Sequence, residues 1–272
     1  MAHSFFSEKY NEINRLVTEF RGHAQSIHFE SIRHWISQFD ENDYDLALKL
    51  LRNIDYYTNE RVLRMLQSNF NDLTTLSNWD FDKAFFSTFH KRAKSDQIIQ
   101  ERFRFANGLK EERYQKKFIG VTEINNLRDD PDNLFFFLED FVGTGSTVCR
   151  NWEKTAHLMP ETDNLYLVII CGHDFGIENI QNKTELKVTA GKIIPDRERF
   201  FSDYNPIFER TEQDIIMKYC EKVGQPVTGW GDCQSNVIYY SRAPNNTLPI
   251  FWKNVDNNEN WQGLFKRHYD DA

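Results

Sequence analysis

Along the first 78 residues the apolar positions step by three and four. Phe6, Tyr10, Ile13, Val17 and Phe20 form one series, and Ile32, Trp35, Ile36 and Phe39 form another. That spacing places side chains on one face of a helix. An acidic start over residues 40–43 leads into Leu46, Leu50, Ile54 and Tyr57, which predicts a helix running to Tyr57. Thr58 suits the cap of a further helix carrying Val62, Leu63 and Leu66. Asn, Asp, Ser and Thr then cluster over 68–78 and mark a boundary.

Beyond it the pattern alternates between short apolar runs and helical periods. Strands are predicted at 84–90, 118–121, 134–138, 165–171, 186–194 and 236–241. Helices are predicted at 97–107, 146–157, 176–181 and 208–223, with Gly108 and Gly224 as stops. The runs Leu-Phe-Phe-Phe-Leu and Leu-Tyr-Leu-Val-Ile-Ile-Cys are apolar on both faces, as buried parallel strands are. The last twenty residues show no assignable pattern. The expected architecture is α/β: a mostly parallel sheet flanked by helices, behind a helical extension, with residues 1–78 as the extension and 79–272 as the α/β domain.

Composition narrows the classes. Of 272 residues, 40% are hydrophobic and 15% aromatic, with 23 Phe, which predicts a large Phe-lined core. The net charge is −8, a poor match for sequence-independent binding to nucleic-acid phosphates. The four cysteines show neither CxxC spacing nor histidines at metal-ligand spacing, and read as reduced thiols. No signal peptide and no membrane-length apolar run is evident, so a soluble, cytoplasmic protein without membrane association is expected.

The chemistry concentrates at 134–148. An apolar strand runs into Glu139 and Asp140, then into Phe141-Val142-Gly143-Thr144-Gly145-Ser146-Thr147 and a helix. Carboxylates accept hydrogen bonds from a vicinal diol and stabilise positive charge developing on a ribose ring. Gly143 and Gly145 let the backbone turn tightly and approach an anion. Thr144, Ser146 and Thr147 offer hydroxyl donors, and a helix opening near Ser146 adds N–H groups with partial positive charge. The loop lacks the lysine of a Walker A motif, and it lacks the Gly-x-Gly-x-x-Gly spacing of a dinucleotide fingerprint.

At these residues the chain resembles the phosphoribosyltransferase family of type I. Its signature is an apolar strand, two acids, two apolar residues, a small residue, Thr-Gly, any residue and Thr. The resemblance implies phosphoribosyl pyrophosphate (PRPP) with Mg²⁺ as the ligand, Glu139 and Asp140 as catalytic acids holding the ribose hydroxyls, and residues 143–147 holding the 5′-phosphate. One departure stands out. Gly143 occupies the position where the purine-salvage branch carries an Asp that takes a proton from the base, so 6-oxopurine salvage by that route is not expected.

In that fold a loop after an earlier strand holds pyrophosphate. The matching segment here is 91–96, with Lys94 and Ser95 as contacts; an ordinary charged turn is the alternative. The stretches Gly229-Trp230-Gly231-Asp232-Cys233-Gln234-Ser235-Asn236 and Pro244-Asn245-Asn246-Thr247, with Trp252 beyond, offer amides and a stacking ring. They read as an acceptor hood, with Asn245, Asn246 and Trp252 as its contacts; turn chemistry alone is the competing reading. The helical lead-in and the Pro-Asn-Asn-Thr segment are similar to phosphoribosyltransferase-like proteins of bacterial anti-phage and retron conflict systems. That likeness implies a defence role, a protein or ribonucleoprotein partner, and room for self-association. His173 and Asp174 follow the second buried strand and could serve as acid or base. The readings left open are a phosphoribosyl transferase with unknown acceptor, a catalytically silent PRPP or nucleotide sensor, and a scaffold with a vestigial loop.

Overall fold

The computed structural model describes residues 2–89, 94–255 and 261–267. In chain order the elements are α1 (Ala2–Glu8), α2 (Tyr10–Glu19), α3 (Phe29–Ile36), α4 (Tyr44–Arg52), β1 (Asp55–Tyr57), α5 (Asn59–Leu73), β2 (Ala84–Ser87), α6 (Lys94–Ala106), β3 (Leu134–Val142), α7 (Ser146–Thr155), β4 (Leu165–His173), α8 (Asp174–Lys183), β5 (Lys187–Ile194), α9 (Arg210–Val223) and β6 (Val237–Tyr239). They gather into two compact units. One comprises Met1–Asn59 with Arg197–Ala272, and the other Glu60–Asp196.

The second unit is built on a parallel sheet ordered β2-β3-β4-β5. Each strand reaches the next through a helical crossover, because parallel neighbours cannot be joined by a tight turn. Phe135 and Phe137 face a cluster with Val148, Trp152, Ile177 and Ile180 of α7 and α8. Phe136 turns to the other face, where its ring lies 5.4 Å from Phe86 and 5.9 Å from Trp79. Phe70 of α5 and Phe103 of α6 complete that layer, each within 6.2 Å of Phe86. The expected both-faces burial of β3 and β4 is therefore present, and β4 is buried along its whole length. Asn69 of α5 is fully buried and donates from Nδ2 to the Ile169 carbonyl at 2.8 Å, tying the helix to the central strand.

The first unit packs α1–α4 and α9 around an aromatic core. Trp35 and Trp261 both donate their indole N–H to the Ile250 carbonyl, at 2.9 and 3.0 Å. β1 and β6 pair in parallel, Asp55 opposite Val237 and Tyr57 opposite Tyr239. His23 is buried here, its ring 5.3 Å from Phe265, with Nδ1 3.1 Å from both the backbone nitrogen and the carbonyl oxygen of Gln25. Burial pushes its pKa down from 6.5 to about 4, against a smaller opposing effect of the Gln25 backbone. The unfolded chain therefore takes up the proton first as pH falls. Stability is full above about pH 6.5 and is lost toward about pH 4, with roughly 2 kcal/mol gone between about pH 7 and about pH 5. Urea melts at the two pH values should show that loss, and His23→Asn should flatten it.

Several elements differ from the sequence reading. The helix expected to run to Tyr57 ends at Arg52, because 55–57 pairs with β6, a contact that local periodicity does not carry. The strand expected at 118–121 is an isolated bridge, Phe86 to Phe118. The strand at 84–90 is paired over Ala84–Ser87. The helix at 176–181 begins earlier, at Asp174, and runs to Lys183. β6 is confined to three residues.

Candidate functional site: the carboxyl end of β3

β3 does not stop at Leu138. It continues through the acids to Val142, with Phe135–Glu139 paired to Leu165–Ile169, and Phe141 and Val142 paired to Cys171 and Gly172. Glu139 and Asp140 are thus strand residues rather than loop residues, both half-buried at the carboxyl end of the sheet. The Asp140 N–H lies 3.3 Å from a Glu139 carboxylate oxygen. Strand pairing gives these carboxylates a backbone that the loop cannot bend, and ligands in open parallel sheets bind at this end.

The turn that follows is short: Gly143, Thr144 and Gly145 lead directly into α7 at Ser146. Gly145 sits at φ +73°, a left-handed conformation, and its carbonyl accepts the Cys149 N–H at 3.0 Å to open the helix. The back of the turn is sealed by α8. A Cβ on Gly145 would lie 2.4 Å from the Gly176 carbonyl oxygen, and a Cβ on Gly176 would lie 1.9 Å from the Gly143 carbonyl oxygen. Asn179, one turn further along α8, donates from Nδ2 to the Thr144 carbonyl at 2.7 Å. The front is open. Ser146 and Thr147 are exposed and Thr144 is half-buried. Thr144 Oγ1 donates to Ser146 Oγ at 2.9 Å and caps the Ser146 N–H at 3.3 Å. Glycines press the bend against its neighbour, while hydroxyls and helix-end N–H groups face outward, a cradle for an anion.

Gly176 and Asn179 escaped the sequence reading. Their only trace was a glycine within a predicted helix, a sign of close backbone approach. His173 also moves. It is the last residue of β4, 1% exposed, with Phe141 at 5.9 Å and Phe175 stacked at 5.2 Å, and is not a loop histidine in solvent. Asp174 opens α8, and its carboxylate accepts the N–H groups of Phe175 and Asp196 at 2.7 and 3.0 Å. All four cysteines are buried free thiols. Burial raises Cys149 and Cys220, and pushes Cys233 up to about 11.

The expected diphosphate segment is only partly visible. Residues 91–93 lie outside the described residues. Lys94 and Ser95 open α6, and their side chains also lie outside them. Asn245, Asn246 and Trp252 belong to the other unit. There Trp252 is buried and gives its indole N–H to the Thr247 carbonyl at 3.0 Å. Asn246 is buried too, donating to the Trp230 carbonyl at 2.9 Å and to Cys233 Sγ at 3.1 Å. Both hold their own loops together. Among the described residues no three His, Cys, Asp or Glu side chains cluster as a metal site. No helix there is long and apolar enough to cross a membrane.

A parallel sheet with an acid pair at a strand's carboxyl end, followed by a glycine–hydroxyl bend into a helix, defines a phosphoribosyltransferase-type α/β protein. The particular family is PRTase-CE: its model matches residues 32–267, and the chain belongs to it. The search of curated proteins gives no match. Among solved structures, 23 chains match. One is the HGPRT-ase of Leishmania tarentolae in complex with GMP, at 13% identity, TM-score 0.31, over 52% of this chain and 81% of that one. Another is a hypoxanthine-guanine-xanthine phosphoribosyltransferase, at 13% identity, TM-score 0.34, over 58% and 89%. A third is the hypoxanthine phosphoribosyltransferase of Trypanosoma cruzi complexed with the product IMP, at 10% identity, TM-score 0.31, over 52% and 76%. Scores of this size bear on neither site nor substrate.

Proposed function

We propose that this chain binds PRPP at the carboxyl end of β3 and transfers its phosphoribosyl group to an acceptor. The observation that carries the reading is the open front of the 143–147 bend beside two strand-anchored carboxylates. The 5′-phosphate would rest on the Thr144, Ser146 and Thr147 hydroxyls and the first N–H groups of α7. Glu139 and Asp140 would hold the ribose hydroxyls and offset the positive charge that grows on the ring as pyrophosphate departs. Two neighbouring carboxylates are hard oxygen donors, which fits Mg²⁺ carried in by the sugar diphosphate with most of its water retained. When bound, the ion would neutralise charge on the leaving group.

Gly143 itself offers no proton acceptor, so an acceptor that is nucleophilic without a general base at that position suits the site. The likeness to anti-phage conflict proteins extends the proposal to a defence effector acting in the cytoplasm on a nucleotide, nucleic acid or protein, with or without a partner. The second reading, a PRPP sensor without turnover, is favoured by one observation: the residue after the acid pair and Phe141-Val142 is Gly143, which carries no proton-accepting side chain.

Pyrophosphate release and PRPP calorimetry, each with Mg²⁺, separate the readings. Binding with release once an acceptor is supplied supports transfer. Binding without release across an acceptor panel supports sensing. Absence of PRPP binding overturns both. Thr144→Val removes one hydroxyl and should weaken binding roughly tenfold, about 1.4 kcal/mol.

A further inference from the structure

Among the buried tryptophans one indole stands unbonded. Trp35, Trp252 and Trp261 each give their N–H to a carbonyl, at 2.9, 3.0 and 3.0 Å. Trp152 is 7% exposed, yet among the described residues its N–H has no acceptor. Nor is it one of the polar atoms sealed away without a partner. A buried donor is rarely left unmatched. One that is neither bonded nor sealed opens into the space that its ring lines.

That space is a cavity of about 500 Å³ within the second unit. Its walls come from the segments that enter three neighbouring strands: Arg128 and Asp129 before β3, Pro160 and Glu161 before β4, and Glu185 before β5. The cavity therefore lies at the amino end of the sheet. The 143–147 bend lies at the opposite end of α7, a helix of 10 residues that spans about 15 Å. Trp152, Ala156 and Met159 line the cavity and belong to the hydrophobic cluster around β3 and β4. This size, with an apolar floor and a few polar groups, is what small-molecule sites share.

The rim carries both signs of charge. Glu161 and Glu185 are exposed, and among the described residues neither makes an ion pair or a hydrogen bond. Arg128 meets its neighbour Asp129 at 3.9 Å, too far for a hydrogen bond, so its guanidinium keeps its donors. Among the described residues these acids and His157 form no metal cluster. Free carboxylates suit an ammonium group. A guanidinium with an indole N–H suits a carboxylate, and the floor suits hydrocarbon. A zwitterion with an apolar body supplies all three.

We propose that this cavity binds an amino acid or a short peptide with free termini. The carboxylate meets Arg128 and the Trp152 N–H, the ammonium meets Glu161 and Glu185, and an apolar side chain covers Ala156 and Met159. The site lies within the second unit and does not depend on the phosphate bend.

Leucine, methionine, phenylalanine and the dipeptide Leu-Leu should be titrated into the full chain by calorimetry, beside their N-acetyl and C-amide forms. None of these carries phosphate, so failure of the PRPP reading leaves the test intact. Saturable binding of at least one zwitterion is expected, weakened roughly tenfold or more by either cap. Glu161→Gln with Glu185→Gln should weaken the zwitterion as much and leave the N-acetyl form unaffected. Arg128→Gln should do the same and leave the C-amide form unaffected. All three side chains are exposed, so the variants should fold. A dipeptide much tighter than the amino acids identifies a peptide as the source, and any other order identifies a free amino acid. No binding of any zwitterion by the folded wild type overturns the proposal. So does binding that tolerates the loss of either terminal charge, or binding unchanged in the glutamate or arginine variant.

Discussion

Glu139→Gln with Asp140→Asn is expected to lower phosphoribosyl transfer at least hundredfold, about 3 kcal/mol of lost transition-state stabilisation. The substitutions keep volume, remove the charge and turn one acceptor oxygen of each acid into an amide donor. Charge is the property that matters where a ribose ring becomes cation-like. Both positions lie within β3, whose ladder pairs Glu139 with Ile169 and Phe141 with Cys171. The backbone there is held by strand bonds that neither side chain makes, so the thermal midpoint should move by no more than a few degrees. Pyrophosphate release measured beside a thermal melt tests both halves. Turnover at the wild-type rate in the folded variant would remove the acids from the mechanism. Lost turnover with lost folding would show instead that the pair is structural.

The second large effect comes from a residue outside the motif. Gly176→Ala should destabilise the protein by roughly 2–4 kcal/mol and weaken phosphate binding tenfold or more. Helix propensity alone points the other way, since replacing glycine by alanine inside a helix is worth about 1 kcal/mol in favour. Contact decides the sign. The new methyl would sit 1.9 Å from the Gly143 carbonyl oxygen and 3.2 Å from the Gly145 nitrogen, all backbone atoms with no rotamer to yield. Either α8 moves or the bend does, and the bend is the proposed phosphate cradle. Asn179→Ala, which removes only the bond to the Thr144 carbonyl, should cost about 1 kcal/mol. Chemical denaturation with inorganic phosphate titration reads both. A Gly176→Ala protein as stable as wild type would mean the bend and α8 do not press together in solution.

Periodicity was enough for much of the fold. The runs at 134–138 and 165–171 announced buried parallel strands, because a strand covered on both faces has no polar positions to alternate. The acid pair and the Gly-Thr-Gly-Ser-Thr bend were legible because those residue types have few other uses directly after such a strand. The length of β3 was not legible. Charged residues read as the end of an apolar run, while backbone pairing with β4 continues regardless of side-chain polarity. Local pattern pointed to helix at 55–57, since Ile54 and Tyr57 satisfy a helical step, and only the pairing with β6 makes that stretch a strand.

The sequence by itself determined the α/β class, the strand that carries the acids, and the glycine and hydroxyl residues of the bend, all of which depend on neighbours in the chain. Tertiary structure alone decided that residues 197–272 join the first 59 in one compact unit, that Gly176 and Asn179 brace the bend, and that Trp230 rather than Trp252 meets solvent. Each of these is a contact between segments far apart in sequence. Composition and spacing say what a residue can do, but only packing says which atoms stand opposite it.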